Sequence, residues 1–349
     1  MTEFYIIKIL FFSTLAFIFA ILVTPLLTHF LYKYKLGKKI RNNGLTPVFS
    51  ELHAHKEGTP TMGGVLIWGT VLIFILFFSV LSDILPGDIF NHLNFLSRSE
   101  TLLPLGVLIT TALIGLFDDW LDVREKGVLG GGGLKLRHRL LIYALIAIVG
   151  ALWFYFKLDW TVFHVPFLGN FEIGAWYIPI FIFIIVATSF SVNETDGLDG
   201  LAGGTLLIAF IAYGIIAFSL GRYELATFCG VIIGSLLAFL WFNIPPARFY
   251  MGDTGSMSLG ITLGVIAMLT NSSLLLIFVG LIFLVESLSV IIQTLSKRIR
   301  KKKIFISTPI HHHFQAIGWP EAKVVMRFWV VAAMGTAIGL MVFLLDKKF

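Results

Sequence analysis

Ten apolar segments follow one another along the chain, and each is bounded by charged residues, glycine or proline. An α-helix needs about 20 apolar residues to cross the hydrocarbon core of a bilayer. The pattern therefore predicts an all-α integral membrane protein with about ten transmembrane helices, at residues 4–31, 62–82, 102–117, 140–157, 175–192, 201–220, 223–242, 256–270, 274–295 and 326–345.

The composition excludes an ordinary soluble enzyme. Of the 349 residues, 57% are hydrophobic and 13% are charged, whereas soluble proteins contain about 25% charged residues. Glu3 stands where a signal peptide would be basic, so the first segment is expected to stay in the mature protein. Because no internal repeat is visible, the chain is predicted to be one polytopic membrane domain over residues 1–349. Cys229 is the only cysteine, which excludes an internal disulfide.

The basic residues are concentrated on one side of the predicted helices. Twenty of the 26 lysines and arginines lie in one alternate set of loops, namely 32–61, 118–139, 193–200, 243–255 and 296–327. By the positive-inside rule, these loops are predicted to be cytoplasmic and both termini periplasmic. Membrane topology thus explains the net charge of +6, and no nucleic-acid partner is expected.

The same loops contain eleven of the twenty acidic residues. Two of them, Asp118 and Asp119, are adjacent and are predicted to end the third helix. Adjacent carboxylates at a membrane edge repel each other, and a divalent cation or a basic substrate group makes them tolerable. The alternative is a pair of hydrated charges at a helix end, although the helix dipole disfavours acids at a C-terminus.

Asp196 and Asp199 lie in a short glycine-rich connection, 193–204. Glycine lets the backbone approach a ligand, and carboxylate oxygens bind hard cations. A tight turn in which Asp196 caps the next helix is the alternative, and it is compatible with a functional role.

A third loop, 243–255, is stiffened by two prolines and carries Asp253 between glycines. A phosphate or metal site would use such a rigid approach and permissive backbone. A plain turn explains the same residues equally well.

Three consecutive histidines, His311, His312 and His313, follow a basic run at 297–303. Successive residues point about 100° apart on a helix, so one or two imidazoles are expected to face a site. Such a triplet can bind phosphate or metal or transfer protons, whereas its spacing does not suit a dedicated zinc site. Together, the motifs indicate Mg²⁺-dependent phosphate chemistry on an amphiphilic substrate at the cytoplasmic surface.

These residues resemble those of the phospho-N-acetylmuramoyl-pentapeptide transferases, a branch of the polyprenyl-phosphate N-acetylhexosamine-1-phosphate transferase superfamily. The resemblance runs nearly end to end and is carried by residues 56–64, 118–119, 193–202, 243–255, 286–293, 308–314, 318–320 and 327–329, and by an external segment, 166–169. It implies a ten-helix homodimer of the bacterial inner membrane. Such an enzyme uses Mg²⁺ to transfer phospho-N-acetylmuramoyl-pentapeptide from its UDP carrier to undecaprenyl phosphate, forming lipid I and UMP for peptidoglycan synthesis.

The resemblance also implies a role for each matching residue. The implied catalytic residues are Asp118, Asp119, Asp253, His311, His312 and His313, with Asp253 as the metal ligand. The implied nucleotide- or sugar-site residues are Lys56, Thr61, Asn193, Asp196, Gly197, Leu198, Asn243, Tyr250 and Gln293. Four positions depart from the family pattern, namely Trp120, Asp122, Glu194 and Tyr250.

Two other functions remain open. A sister transferase would use UDP-N-acetylglucosamine or a similar amino sugar, although the uninterrupted histidine triplet favours the muramoyl-pentapeptide branch. A transporter or channel would line an ion path with intramembrane charges such as Glu286, but the acids are concentrated on one face. The residues also do not distinguish direct attack by the lipid phosphate from a two-step reaction through an aspartyl phosphate.

Overall fold

The computed structural model describes residues 2–37, 56–85, 87–124 and 133–348. The central parts of the predicted loops 32–61 and 118–139, including Glu51 and Glu125, lie outside these residues. The helices are α1 (Thr2–Lys33), α2 (Gly64–Ile84), α3 (Asp88–Leu93), α4 (Leu102–Val123), α5 (Leu136–Lys157), α6 (Tyr177–Thr195), α7 (Leu201–Ser219), α8 (Tyr223–Asn243), α9 (Asp253–Leu269), α10 (Leu276–Val279), α11 (Leu281–Ile299), α12 (Ile310–Ala316) and α13 (Glu321–Asp346). Short 3₁₀ turns precede α6 and α10, at Gly174–Trp176 and Ser273–Leu275.

Each of the ten predicted segments coincides with helix, which confirms the all-α membrane fold. Within the described residues, eight helices are long and apolar enough to cross a bilayer. The segment predicted at 274–295 is a broken span, because the chain bends by 85° between Ser273–Val279 and α11. The segment predicted at 256–270 forms α9, which has only 17 residues. The sidedness of the membrane remains a prediction.

The helix α9 forms the centre of the bundle, since all of its residues are buried. It packs against α2, α4, α6 and α7. Small residues permit the close approach: a Cβ atom on Gly260 would lie 2.9 Å from Cα of Ser189 in α6, and one on Gly115 in α4 would overlap the backbone of Asp253. The first residue of α9, Asp253, is consequently held inside the protein.

One antiparallel hairpin lies between α5 and α6, with β1 at Val162–Val165 and β2 at Gly169–Glu172. Its turn, residues 166–168, belongs to the segment that the sequence predicts to be external. Asp346, at the end of α13, holds the hairpin: its carboxylate lies 2.6 Å from Nε2 of His164 and accepts a hydrogen bond of 2.6 Å from the backbone amide of Phe167. The hairpin therefore lies at the end of the bundle opposite to the acidic loops.

At the acidic end, two distant motifs pair through their backbones. The amide of Tyr250 donates to the carbonyl of Pro60, and the amide of Gly63 donates to the carbonyl of Tyr250, both at 2.8 Å. The amide of Gly64 donates to the carbonyl of Met251 at 2.8 Å. The segment before α2 therefore lies directly against the loop that leads into α9.

Candidate active site

Asp118 and Asp253 meet at one guanidinium group. Nε of Arg139 donates to Oδ2 of Asp118 at 2.9 Å, and Nη2 donates to Oδ2 of Asp253 at 2.7 Å. Asp118 is fully buried in α4, Asp253 begins α9, and Arg139 lies in the first turns of α5. Both carboxylates thus face a single cationic position where three helices meet.

The acidic pair lies inside α4, and the prediction that the pair ends this helix is wrong. The apolar pattern stops at the first charged residue, but the backbone remains helical up to Val123. The end of an apolar run therefore does not mark the end of this helix. Asp118 is stabilised there by Arg139 and by the backbone amide of Leu134, which donates to its Oδ1.

Asp119 points towards the start of α9. Its Oδ1 accepts a hydrogen bond from the amide of Asp253, and its Oδ2 accepts one from the amide of Thr254, both at 3.0 Å. The first amides of a helix have no partner within the helix, and the positive end of the helix dipole favours a carboxylate. Asp119 therefore caps α9 from a neighbouring helix and fixes the position of Asp253.

Gly252 makes this cap possible. It precedes α9 with a φ of 73°, a conformation that favours glycine. A Cβ atom there would lie 2.5 Å from Oδ2 of Asp119 and 2.6 Å from Oγ1 of Thr61. Thr61 itself is buried beside the cap, with its hydroxyl 3.4 Å from Oδ1 of Asp119. The Met-Gly-Asp sequence thus requires glycine at this position, both for its backbone conformation and because a side chain would overlap Asp119 and Thr61.

Asn193, in the last turn of α6, completes the network around Asp253. Its Nδ2 donates to Oδ1 of Asp253 at 2.6 Å and to Oγ of Ser256 at 2.9 Å. Its Oδ1 accepts from Nη1 of Arg139 at 3.2 Å. The orientation of the Asp253 carboxylate is therefore set from two sides.

Lys56 belongs to a second cluster of charges. Its Nζ donates to Oδ1 of Asp199 at 2.6 Å and to Oε1 of Glu321. Asp199 also accepts from the amide of Ala247 at 3.0 Å, and Glu321 accepts from the amide of Asp199 at 2.8 Å. The cluster thus joins the start of α13 to the loops before α7 and α9.

Asn243 and Tyr250 hold the proline-containing loop. The side chain of Asn243 accepts from the amide of Gly200 and donates to the carbonyl of Phe249, both at 2.9 Å. Burial raises the pKa of the Tyr250 hydroxyl to about 12, so it is a neutral hydrogen-bonding group at physiological pH. In this structure, Asn243 joins two loops that the sequence suggested as separate substrate contacts.

The histidine triplet lies on the short helix α12, and its members have different surroundings. Nδ1 of His311 lies 2.9 Å from Oε2 of Glu286, and both side chains are fully buried. Nδ1 of His312 lies 3.0 Å from Oε1 of Gln315, and Nδ1 of His313 accepts from the amide of Ile306. Burial lowers the pKa of His311 to about 3 and that of His312 well below its usual value, and the charge of Lys56 adds to both shifts.

The remaining sequence-predicted residues line the same end of the bundle. Gln293 binds the backbone of the 304–305 loop, accepting from two amides and donating to the carbonyl of Phe305. Leu198 is buried among apolar residues of α7, α11 and α13. Asp196 follows the end of α6, but Gly200, with a φ of 80°, precedes α7, so the prediction that Asp196 caps this helix is wrong.

Two departures from the family pattern lie on α4 beside the acidic pair. Trp120 is 40% exposed and stacks on Phe117, with the guanidinium of Arg124 5.9 Å from its ring centroid. Asp122 accepts from the amide of Gly133 at 2.9 Å, and the next amide, that of Leu134, donates to Asp118. Asp122 therefore helps to fix the segment that precedes α5 against Asp118.

Sequence reasoning missed Arg139, which contacts three of the site residues. It is one of several basic residues in a predicted cytoplasmic loop, and nothing in its spacing separates it from a topology signal. The buried pairing of Glu286 with His311 was also missed. A carboxylate in the middle of an otherwise apolar span was the available signal.

The carboxylate oxygens around Arg139 are suitable ligands for a magnesium ion. Mg²⁺ keeps several waters and binds proteins through one or two carboxylates together with substrate phosphates. Asp118 and Asp253 face one cationic position, and these two carboxylates share one guanidinium, which leaves an excess of negative charge. In the described part of the chain, no group of three or more His, Cys, Asp or Glu side chains could enclose a metal by itself.

Comparison with known proteins gives two family matches. Residues 101–271 match the model described as glycosyl transferase family 4, and residues 56–67 match phospho-N-acetylmuramoyl-pentapeptide-transferase signature 1. Three similar proteins are each named phospho-N-acetylmuramoyl-pentapeptide-transferase and are each 38% identical to this chain. They come from Chloroflexus aggregans (covering 93% of this chain and 86% of the relative), Geobacillus sp. strain WCH70 (93% and 95%) and Anoxybacillus flavithermus (95% and 97%).

Proposed function

The chain belongs to the phospho-N-acetylmuramoyl-pentapeptide transferase family, and on that premise we propose how its residues carry out the family's reaction. It transfers phospho-N-acetylmuramoyl-pentapeptide from UDP to undecaprenyl phosphate, and the products are lipid I and UMP. We assign the reaction to these residues because Asp118 and Asp253 both contact Arg139.

The reaction brings two polyanions together. An oxygen of the lipid phosphate attacks the phosphorus that bears the sugar, and the bond from that phosphorus to the UMP oxygen breaks. Positive charge is needed beside both phosphates, because phosphoryl transfer depends mainly on positioning and electrostatic stabilisation. Arg139 is the cation nearest to the carboxylate pair, and its fork geometry suits phosphate as well as carboxylate.

We assign Asp253 as the principal magnesium ligand, with Asp118 facing the same position. Mg²⁺ would screen the phosphate charges and orient the reacting groups. Asn193 orients the Asp253 carboxylate through the hydrogen bond of 2.6 Å. Asp118 accepts the proton of the lipid phosphate when that phosphate is monoanionic, since a phosphomonoester has a second pKa near 6.

Asp119 contributes to the reaction by positioning Asp253. Both of its oxygens accept backbone amides of α9, which makes it a positioning residue for the metal ligand. Lys56 and Asp199 hold the connection before α7 beside α13, where residues 196–198 are proposed to contact the nucleotide or sugar. His312 and His313 lie on the adjoining helix and are proposed to face the substrate.

We propose that this site faces the cytoplasm at the bacterial inner membrane, where the nucleotide substrate is soluble; the basic loops support this orientation. A homodimer is proposed from the family resemblance. Light scattering of the purified protein in detergent would report a mass of two protomers plus the bound micelle; a mass of one protomer would exclude the dimer.

The decisive experiment supplies purified protein with UDP-N-acetylmuramoyl-pentapeptide, undecaprenyl phosphate and Mg²⁺, and measures UMP and lipid I. We expect both products in equal amounts, and a much lower rate of both with Asp253→Asn prepared in the same way. A parallel reaction with UDP-N-acetylglucosamine tests the sister activity, and a higher kcat/KM with that donor would overturn the assignment. Ion flux into vesicles without release of UMP would indicate a transporter.

A further inference from the structure

Glu286 is a fully buried carboxylate that the proposed reaction does not use. It lies in α11, surrounded by apolar spans, and its Oε2 contacts Nδ1 of His311 at 2.9 Å. A buried ionisable group inside a membrane protein is costly unless it has a partner, and it therefore usually has a function. Here the partner is a histidine from the triplet, so the pair connects α11 to α12.

The contact fixes the orientation of the His311 ring. This hydrogen bond forms whichever of the two atoms carries the proton. The imidazole has no exposed surface, and burial keeps it neutral.

The Nε2 edge of His311 faces the connection between α6 and α7. Nε2 is buried and has no hydrogen-bond partner among the described residues. A Cβ atom on Gly197 would overlap Nε2 and lie 2.8 Å from Cε1. The backbone of Gly197 therefore covers this edge of the ring, and a substrate on the other side of the connection does not contact it.

We propose that Glu286 and His311 are positioning residues and that His311 exchanges no proton with substrate. Together the two side chains hold the 193–200 connection in place, because the ring of His311 packs against the backbone of Gly197. Glu286 fixes the orientation of the ring, and the ring supports the backbone of Gly197. This connection carries Asn193 at one end and Asp199, the partner of Lys56, near the other. The proposal rests on the function proposed above, because the connection matters only if it binds the substrate.

A double-mutant cycle tests the contact. Gly197→Ala forces the ring to move, and His311→Ala removes the obstacle. We expect each single variant to lower kcat/KM by about 10–100-fold, as for carboxylates that orient functional histidines. Residues in contact couple by about fivefold or more, so the double variant should retain at least fivefold more activity than the product of the single effects predicts. Independent effects of the two variants would overturn the contact.

A second pair of variants tests Glu286. Glu286→Gln keeps a polar group that can hydrogen-bond Nδ1, whereas Glu286→Leu has a similar volume and no such group. We expect Glu286→Gln to restore most of the activity that Glu286→Leu loses, mainly through KM for the UDP substrate, with an unchanged pH profile of kcat. Val285→Ala, the neighbouring lipid-exposed position on α11, serves as a matched control and should behave as wild type. Loss of a limb of the pH profile in His311→Asn would show proton transfer and overturn the proposal.

The protonation of His311 can be measured without activity, which separates this proposal from the proposed function. The ¹⁵N spectrum of the imidazole in the purified full chain should show a neutral ring with a single tautomer at neutral pH. Glu286→Leu should change this pattern, and Val285→Ala should not. A charged ring in the wild-type protein, or a spectrum that Glu286→Leu leaves unchanged, would overturn the proposal, whether or not the protein releases UMP.

Discussion

The carboxylate of Asp119 lies 3.0 Å from the backbone nitrogen of Asp253, so a residue of α4 caps the helix whose first side chain faces Arg139. Adjacent residues on a helix point about 100° apart. Asp118 and Asp119 therefore differ in function, although they look equivalent in the sequence. One faces the proposed metal position and the other fixes a backbone.

This cap predicts a local effect of Asp119→Asn. The NH2 group that replaces one oxygen cannot accept a hydrogen bond, so one of the two bonds to the amides of Asp253 and Thr254 is lost, and loss of a helix cap costs about 0.5–2 kcal/mol. We expect faster hydrogen exchange at the start of α9 and unchanged exchange at its C-terminal end. Asp118→Asn is the control and should leave exchange at residues 253–254 as in the wild type. Equal acceleration by both variants would contradict the separate roles.

The proposed division between Asp118 and Asp253 predicts two kinetic signatures. Asp253→Asn should raise the Mg²⁺ concentration for half-maximal rate and lower kcat. Asp118→Asn should lose rate at neutral pH by about 10²–10⁴-fold and recover partly at higher pH, where the lipid phosphate is already dianionic. Rates of UMP release across pH and Mg²⁺ concentration measure both. A shift in Mg²⁺ dependence by Asp118→Asn as large as that by Asp253→Asn, with an unchanged pH profile, would make both residues metal ligands.

Arg139→Lys tests whether the fork of the guanidinium matters in addition to its charge. Lysine cannot reach Asp118, Asp253 and Asn193 with the same planar set of donors. A hydrogen bond to a charged group contributes about 1.5–3 kcal/mol, so kcat/KM should fall by roughly 10–100-fold. Arg139→Met should lose more, because it also leaves the carboxylates without a cation. Wild-type kcat/KM in Arg139→Lys would show that charge alone suffices.

The two buried histidines predict that the protein is less stable in mild acid. The pKa of His311 is lowered to about 3, whereas that of an unfolded chain is about 6.5. Between these values only the unfolded state takes up the proton, so stability is complete above pH 6.5 and decreases as the pH falls. Each such histidine contributes up to about 1.4 kcal/mol per pH unit. The Tm in detergent should therefore fall from pH 7 to pH 5, and less steeply in His311→Asn; an equal slope in both proteins would contradict the assignment.

The predicted topology can be tested by labelling single cysteines. In a Cys229→Ala background, cysteines at Asn91 and Asn170 should react with an impermeant reagent in intact cells. A cysteine at Lys302 should react only after the cells are opened. Positions 39 and 125 are further cytoplasmic sites outside the described residues. Labelling of the Lys302 position in intact cells would refute the model with both termini outside.

The helices were predictable because a membrane imposes one simple pattern on all of them, a long apolar run between polar ends. The acidic loops could also be assigned to one end of the bundle from the alternation of basic loops. The contacts within the site could not be predicted in this way. The pairing of Arg139 with Asp118 depends on how α5 packs against α4, and that of Glu286 with His311 on a bend before α11.

Burial of α9 also bears on how the enzyme responds to its membrane. A helix of 17 residues is about 26 Å long, somewhat shorter than the apolar core of a bilayer at about 30 Å. Because the surrounding helices cover α9 completely, its depth does not depend on matching the lipid thickness. Thicker or thinner bilayers would tilt the lipid-exposed outer helices first. The distance between Asp118 and Asp253 should consequently stay constant when a bacterium changes the chain length of its lipids.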